Sequence, residues 1–214
     1  GVSEITVNGE LLDDHADFNR LISEERVKHI LHYADFYGCD QGRIKGLVFC
    51  SKLEEADALC KAFNQYGKRS ACMSGATTEG ERKNLIDRLE LEDYDNPIAL
   101  DYLFSVDVLN EGVDIPSVNQ IIMLRPTASA IVFVQQLGRG LRKSKDKRYL
   151  EVIDFIGNYE NNYLLPIALY GDRTYKKEHL RRTMQHNFLP GASTVHFEDV
   201  IKERIFKKLN TTNL

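Results

Sequence analysis

Arg139 and Arg142 stand three residues apart in the run Phe133-Val134-Gln135-Gln136-Leu137-Gly138-Arg139-Gly140-Leu141-Arg142. A guanidinium presents a flat fork of donors and stays charged at any working pH, so it suits phosphate oxygens. Gly138 and Gly140 let the backbone approach a large anion. An arginine aimed at a phosphoryl group in transfer accelerates the reaction by about 10³–10⁵. If a helix runs to Leu137, the i, i+3 spacing puts both arginines on one side of its end. The run therefore predicts a nucleotide site with Arg139 and Arg142 as its catalytic residues. The plainer alternative is an exposed basic turn, since Lys143, Lys145, Lys147 and Arg148 follow. Those lysines read better as a solvated loop than as phosphate-backbone contacts.

Three further segments carry candidate chemistry. In Glu111-Gly112-Val113-Asp114-Ile115-Pro116, Gly112 allows a tight turn towards a ligand, and Asp114 can accept from ribose hydroxyls or orient an arginine. Alone, Gly-x-Asp with a nearby Pro is also what an ordinary turn looks like. Phe49-Cys50-Ser51-Lys52 closes an apolar run. Ser51 either caps the next helix or touches a sugar-phosphate backbone together with that helix's N-terminal amides. In Ser74-Gly75-Ala76-Thr77-Thr78-Glu79-Gly80-Glu81-Arg82, Thr78 and Glu81 have capping-box spacing, and Arg82 is a candidate nucleic-acid or interdomain contact.

The elements that must hold these residues alternate. Gly46–Cys50 reads as a buried strand. Leu53–Tyr66 has helical spacing with Gly67 as a stop, and Arg69–Met73 is the next strand. A helix should follow Thr78, then strands at 98–104 and 118–124. A helix is expected at 128–137 after Pro126, and one more strand at 149–156. Ahead of these, Asn8-Gly9 marks a hairpin across 4–11, and a helix should run from Ser23 to Gly38. Such alternation predicts a mostly parallel sheet with helices on both faces. Ligands of such sheets bind beyond the carboxyl ends of the strands. Residues from about 172 onward read as a helical appendage with a basic stretch at 173–186.

The 214 residues carry a formal charge of -4 and 43% hydrophobic residues. This allows a sizeable core and argues against a uniformly basic nucleic-acid coat. Cys39, Cys50, Cys60 and Cys72 form no C-x-x-C pair, which argues against zinc and suits reduced thiols in a cytoplasmic protein. No segment reads as a membrane span or a signal peptide. The first residue is Gly1, not Met, which suggests a fragment of a longer protein.

Taken in order, the segments resemble the second, C-terminal RecA-like domain of superfamily 2 DEAD/DEAH-type helicases, in the branch near type III restriction enzyme subunits. Phe49-Cys50-Ser51 resembles that family's motif IV, Glu111–Pro116 its motif V, and Gln135–Arg142 its motif VI; the likeness covers about 44–158. The resemblance implies a three-layer RecA-like α/β domain, related to the P-loop NTPases. It implies that Arg142 acts as the arginine finger with Arg139 as helper. It also implies that Gln135 couples nucleotide to nucleic acid, and that Gly112, Asp114 and Gly138 lie at the nucleotide. Many relatives have Thr just before the Asp of motif V, where it contacts a phosphate. Here Val106 precedes Asp107, so that contact falls to Ser105 or to a backbone amide. The expected division is 1–43 (hairpin and helix), 44–171 (RecA-like domain) and 172–214 (helical extension).

No G-x-x-x-x-G-K-[ST] loop and no acidic Mg²⁺ box occurs in the sequence. The family then implies that ATP with Mg²⁺ is gripped by a partner N-terminal RecA-like domain, and that this chain alone hydrolyses nothing. The expected ligand is nucleic acid, DNA first. The function expected is half of an ATP-dependent helicase or translocase, with Ser51, Lys52, Arg82 and Ser105 as nucleic-acid contacts. The competing reading is a non-catalytic RecA-like module that binds nucleic acid or a protein; the intact Gly112, Asp114, Arg139 and Arg142 weigh against it. A Rossmann-type nucleotide enzyme is excluded by the lack of a G-x-G-x-x-G first turn.

Overall fold

In the computed structural model the described residues are 6–7, 10–11, 24–40, 42–93, 95–106, 115–125 and 149–155, with Glu178 and Arg182. The alternating segments form a five-stranded sheet, all parallel, in the order β4-β5-β3-β6-β7. Its strands are β3 (Gly46–Phe49), β4 (Ser70–Met73), β5 (Tyr102–Ser105), β6 (Gln120–Met123) and β7 (Glu151–Asp154). The helices packed with it are α1 (Glu24–Tyr37), α2 (Leu53–Gln65) and α3 (Glu79–Glu90). β1 (Thr6–Val7) and β2 (Glu10–Leu11) pair antiparallel as a hairpin, with Val7 opposite Glu10. The hairpin belongs to one compact unit (Gly1–Phe18, Thr127–Val134, Gly157–Leu214). The sheet belongs to the other (Asn19–Pro126, Gln135–Ile156).

Residues alternate across the sheet because successive side chains of a strand point to opposite faces. Val48, Cys50, Tyr102, Phe104, Ile122 and Leu124 face α1 and α2, where they pack with Ile30, Ala34, Leu59 and Phe63. Leu47, Phe49, Leu103, Ile121 and Met123 are equally buried but lie outside that cluster, as does Leu89 of α3. Both faces are therefore covered, which is why the strands read as unbroken apolar runs. This is the α/β architecture that the sequence predicts. The sequence division places α1 outside the RecA-like domain, yet its Val27, Ile30, Leu31 and Ala34 are part of the same core as the sheet.

Two close approaches fix the start of β3. Gly46 lies against the buried ring of Tyr102, where an added Cβ would come within 2.3 Å of Cδ1. Tyr102 Oη donates to Gln120 Oε1 at 2.8 Å, and Gln120 Nε2 donates to the carbonyls of Ala34 (2.8 Å) and Gly38 (2.7 Å). A fully buried glutamine at the start of β6 thus ties down carbonyls at the end of α1. Gly38 sits at φ +63°, a left-handed stop that only glycine adopts without strain.

The strand expected at 98–104 begins later, at Tyr102. Asp101 and Leu100 turn their amides to Arg69 O (2.7 Å) and Arg88 O (3.0 Å) instead of to a strand. The Arg43 guanidinium fills the corner, donating to the carbonyls of Leu89, Leu91 and Leu100, so that a distant arginine caps the end of α3. Ile98, left outside the sheet, is 53% exposed. The helix expected at 128–137 lies outside the described residues, as does the appendage from 172 onward apart from Glu178 and Arg182, both helical.

Candidate functional site

Because every strand of the sheet runs the same way, the ends of β3, β4, β5 and β6 open on one rim. Their order there follows from the last ladder bonds. Leu124 N donates to Phe49 O (2.9 Å), Cys50 N to Ser105 O (3.0 Å) and Val106 N to Met73 O (3.4 Å). The turn Ser51–Lys52 leaves the central strand β3, between the ends of β5 and β6. Ser74–Thr78 leaves the outer strand β4.

Ser51 does not cap α2, which corrects one of its two sequence readings. The N-cap is Lys52, and its side chain makes no capping bond. The turn is held from the other side: Glu55, in the first turn of α2, reaches back so that its Oε2 accepts from Ser51 N at 3.2 Å. Its Oε1 accepts from Arg26 Nη2 of α1. Both side chains of this ion pair are buried, at 2% and 3% exposure. Cys50 lies among these charges. Burial raises its thiol pKa first and Glu55 adds to that, while Arg26 and Arg125 oppose it. The Lys52 carbonyl accepts from Ala56 N at 3.0 Å, while its side chain is exposed and forms no hydrogen bond or ion pair among the described residues.

The neighbouring turn is built from its own side chains. Ser74 N donates to Thr77 Oγ1 (2.9 Å), and Ala76 N donates to Ser74 Oγ (3.3 Å). The capping box is complete: Glu81 N donates to Thr78 Oγ1 (3.4 Å) and Thr78 N to Glu81 Oε2 (2.9 Å). These bonds hold the Glu81 carboxyl below its ordinary pKa. Arg82 is half-buried and already bonds within the turn, to Thr77 O (2.8 Å) and Gly75 O (3.3 Å). It therefore braces this turn whatever else it contacts.

Ser105 ends β5 directly opposite Phe49, yet it is only 1% exposed, and its hydroxyl has no hydrogen-bond partner among the described residues. Burial keeps this oxygen from a backbone phosphate, and alternation turns it to the face opposite α1 and α2. Among the contacts expected from sequence, Ser51 and Lys52 share one turn, Arg82 stands one turn further along the rim, and Ser105 lies beneath it. Gly112, Asp114, Gln135, Gly138, Arg139 and Arg142 lie outside the described residues. Sequence reasoning missed Arg26 and Glu55. The available signal was Arg26 itself, a charge on the stripe of α1 that also carries Ile30 and Ala34.

Among the described residues no group of three or more His, Cys, Asp and Glu side chains is placed to hold a metal ion. Among them, too, no helix is long and apolar enough to cross a membrane.

The sequence model of the family described as "Helicase conserved C-terminal domain" matches residues 25–144, more than half of the chain. The chain belongs to that family. The match begins inside α1 and takes in the rim turns and the segments containing Gly112, Asp114, Arg139 and Arg142. This helicase C-terminal domain is 30% identical over 143 residues to "Putative ATP-dependent helicase IRC3" of Saccharomyces cerevisiae, covering 66% of this chain and 20% of that protein. It is 34% identical over 113 residues to "Putative mitochondrial ATP-dependent helicase irc3" of Schizosaccharomyces pombe, covering 53% and 18%. The chain thus aligns with about one fifth of each relative's length. Among solved structures, "The fragment structure of a putative HsdR subunit of a type I restriction enzyme from Vibrio vulnificus YJ016" shares the fold. Its TM-score is 0.52 at 24% identity, over 70% of this chain and 31% of that one.

Proposed function

We propose that the chain is the second motor half of an ATP-dependent nucleic-acid helicase or translocase. The observation that carries this reading is the family match across residues 25–144, a span that includes both arginines and the Gly112-x-Asp114 turn. When bound, ATP supplies the phosphoryl transfer that drives the motor, and its Mg²⁺ is held by a first RecA-like domain outside this chain. Arg142 serves as the finger that stabilises charge on the transferring group, and Arg139 supports it. Gly112, Asp114, Gln135 and Gly138 line the nucleotide side of the cleft. Ser51 and Lys52 contact the sugar-phosphate backbone, with Arg82 bracing the adjacent turn. Ser105 acts in that contact only by shaping the strand end beneath it.

The packing of α1 supports starting the domain at α1; its end near 171, with 172–214 as a helical extension, rests on the sequence pattern alone. Four free cysteines suit a reducing compartment, the cytoplasm among them.

The test is ATP hydrolysis by the full-length protein, with and without single-stranded and duplex DNA and RNA. Arg142→Ala should lower turnover by at least about 10³-fold and leave nucleic-acid binding in place. This chain by itself should show no turnover. Unchanged turnover in the Arg142→Ala protein overturns the finger assignment. Nucleic-acid binding without any hydrolysis by the wild-type protein would favour a binding module instead.

A further inference from the structure

We propose that the buried Arg26–Glu55 pair is a positioning device that presets the Ser51–Lys52 turn for the nucleic-acid backbone; this rests on the reading of that turn as a phosphate contact. Stability alone does not account for the pair. Replacing a buried ion pair by apolar residues of similar volume is often neutral or stabilising. What an apolar pair cannot supply is an acceptor aimed at the amide of Ser51. Glu55 supplies one, with Oε2 3.2 Å from Ser51 N, while its other oxygen is occupied by Arg26. Arg26 comes from a different helix, 29 residues earlier in the chain, so the carboxylate is anchored from outside its own helix. The turn has no other cap, because the side chain at the N-cap position is the free Lys52. A turn held this way keeps Lys52 exposed at the rim without the ordering cost that a loose loop carries on binding.

The pair carries no net charge, so deleting both members leaves the charge of the protein unchanged. That separates positioning from electrostatics. The experiment uses the full-length protein and fluorescein-labelled oligonucleotides, DNA and RNA in separate arms, titrated across a salt series. Lys52→Ala should weaken binding uniformly across sequences and lower the slope of log K against log salt by about one. Arg26→Met/Glu55→Leu should also weaken binding, by about tenfold, and lower the slope by about one although Lys52 is still present. Arg26→Met/Glu55→Gln keeps an acceptor for Ser51 N and should recover binding to within about threefold. In a Lys52→Ala background the Leu double variant should add nothing further, the sign that both act through one contact.

Ser51→Pro provides a second route should the Leu variant fail to fold. It deletes the amide donor, while also fixing φ and keeping Cys50 extended, as it already is at the end of β3, and Ser51→Ala controls for the hydroxyl. Binding weaker for Ser51→Pro than for Ser51→Ala is the expected result. The proposal is overturned if Lys52→Ala weakens binding while the Leu double variant and Ser51→Pro match their controls. If Lys52→Ala itself changes nothing, the contact assigned to the turn fails and the positioning role falls with it.

Discussion

Gly46→Ala should loosen the centre of the sheet. The new methyl would lie 2.3 Å from Cδ1 and 2.4 Å from Cε1 of Tyr102, and 3.4 Å from Asp101 O. Carbon atoms in contact sit about 3.5–4.0 Å apart, so the ring must retreat by about 1 Å. It has no free space for this: Tyr102 is fully buried, edge-on to Phe63 with ring centres 5.2 Å apart. Overpacking of this kind costs about 1–3 kcal/mol. A shifted ring also withdraws its hydroxyl from Gln120 Oε1, and an unsatisfied buried acceptor costs about 1–3 kcal/mol more. Together the loss is about 3 kcal/mol, which corresponds to opening of the strands about 10²-fold more often. Hydrogen exchange of peptides spanning β3 and β5 reads this locally, within the full-length protein. Tyr102→Phe, which removes only the hydroxyl, should accelerate the same peptides by about tenfold. Gly80→Ala, in α3 with open space around its Cβ, should leave them unchanged and slow exchange within α3. Exchange in the Gly46→Ala protein within threefold of wild type would refute the argument.

Thr78→Ala removes the acceptor for Glu81 N and should cost α3 about 1 kcal/mol, read as faster exchange in peptides from 79–90. The Glu81 carboxyl is held below its unfolded value by the Thr78 bonds, so its contribution is present above the ordinary carboxylate range and fades as pH falls through the folded value. The penalty of Thr78→Ala should accordingly shrink below about pH 4. Burial pushes the thiol of Cys60 up to about 11 and that of Cys72 up to about 12, with Asp57 adding to both. Iodoacetamide at pH 8 should therefore spare both in the native protein and label them once denatured, because the thiolate is the reacting form. Mass spectrometry showing labelling at denatured rates in the native protein would contradict that burial. Arg43→Met should fray the end of α3 and the segment 98–101 together, since one guanidinium holds carbonyls in both; independent exchange of the two segments would count against it.

The helix ends and caps around the rim were legible along the chain, because their signals are local. Gly38 and Gly67 stop their helices at positive φ, and Thr78 with Glu81 forms the box that its spacing suggests. A charged residue on an apolar stripe, such as Arg26, signals an exception without naming its partner. Ser51 shows the limit of local reading: a serine ahead of a helix usually caps it, but here a glutamate four residues on and an arginine from another helix hold the turn instead.

What the residues decided alone was the alternation of strands and helices and the arginine-glycine run that marks the family. These depend on neighbours a few positions apart, whose geometry is set by backbone periodicity. The order β4-β5-β3-β6-β7, the late start of β5 and the Arg26–Glu55 pair were decided only by the packed fold. Each joins groups far apart in the chain, and burial determines which of many possible partners each meets.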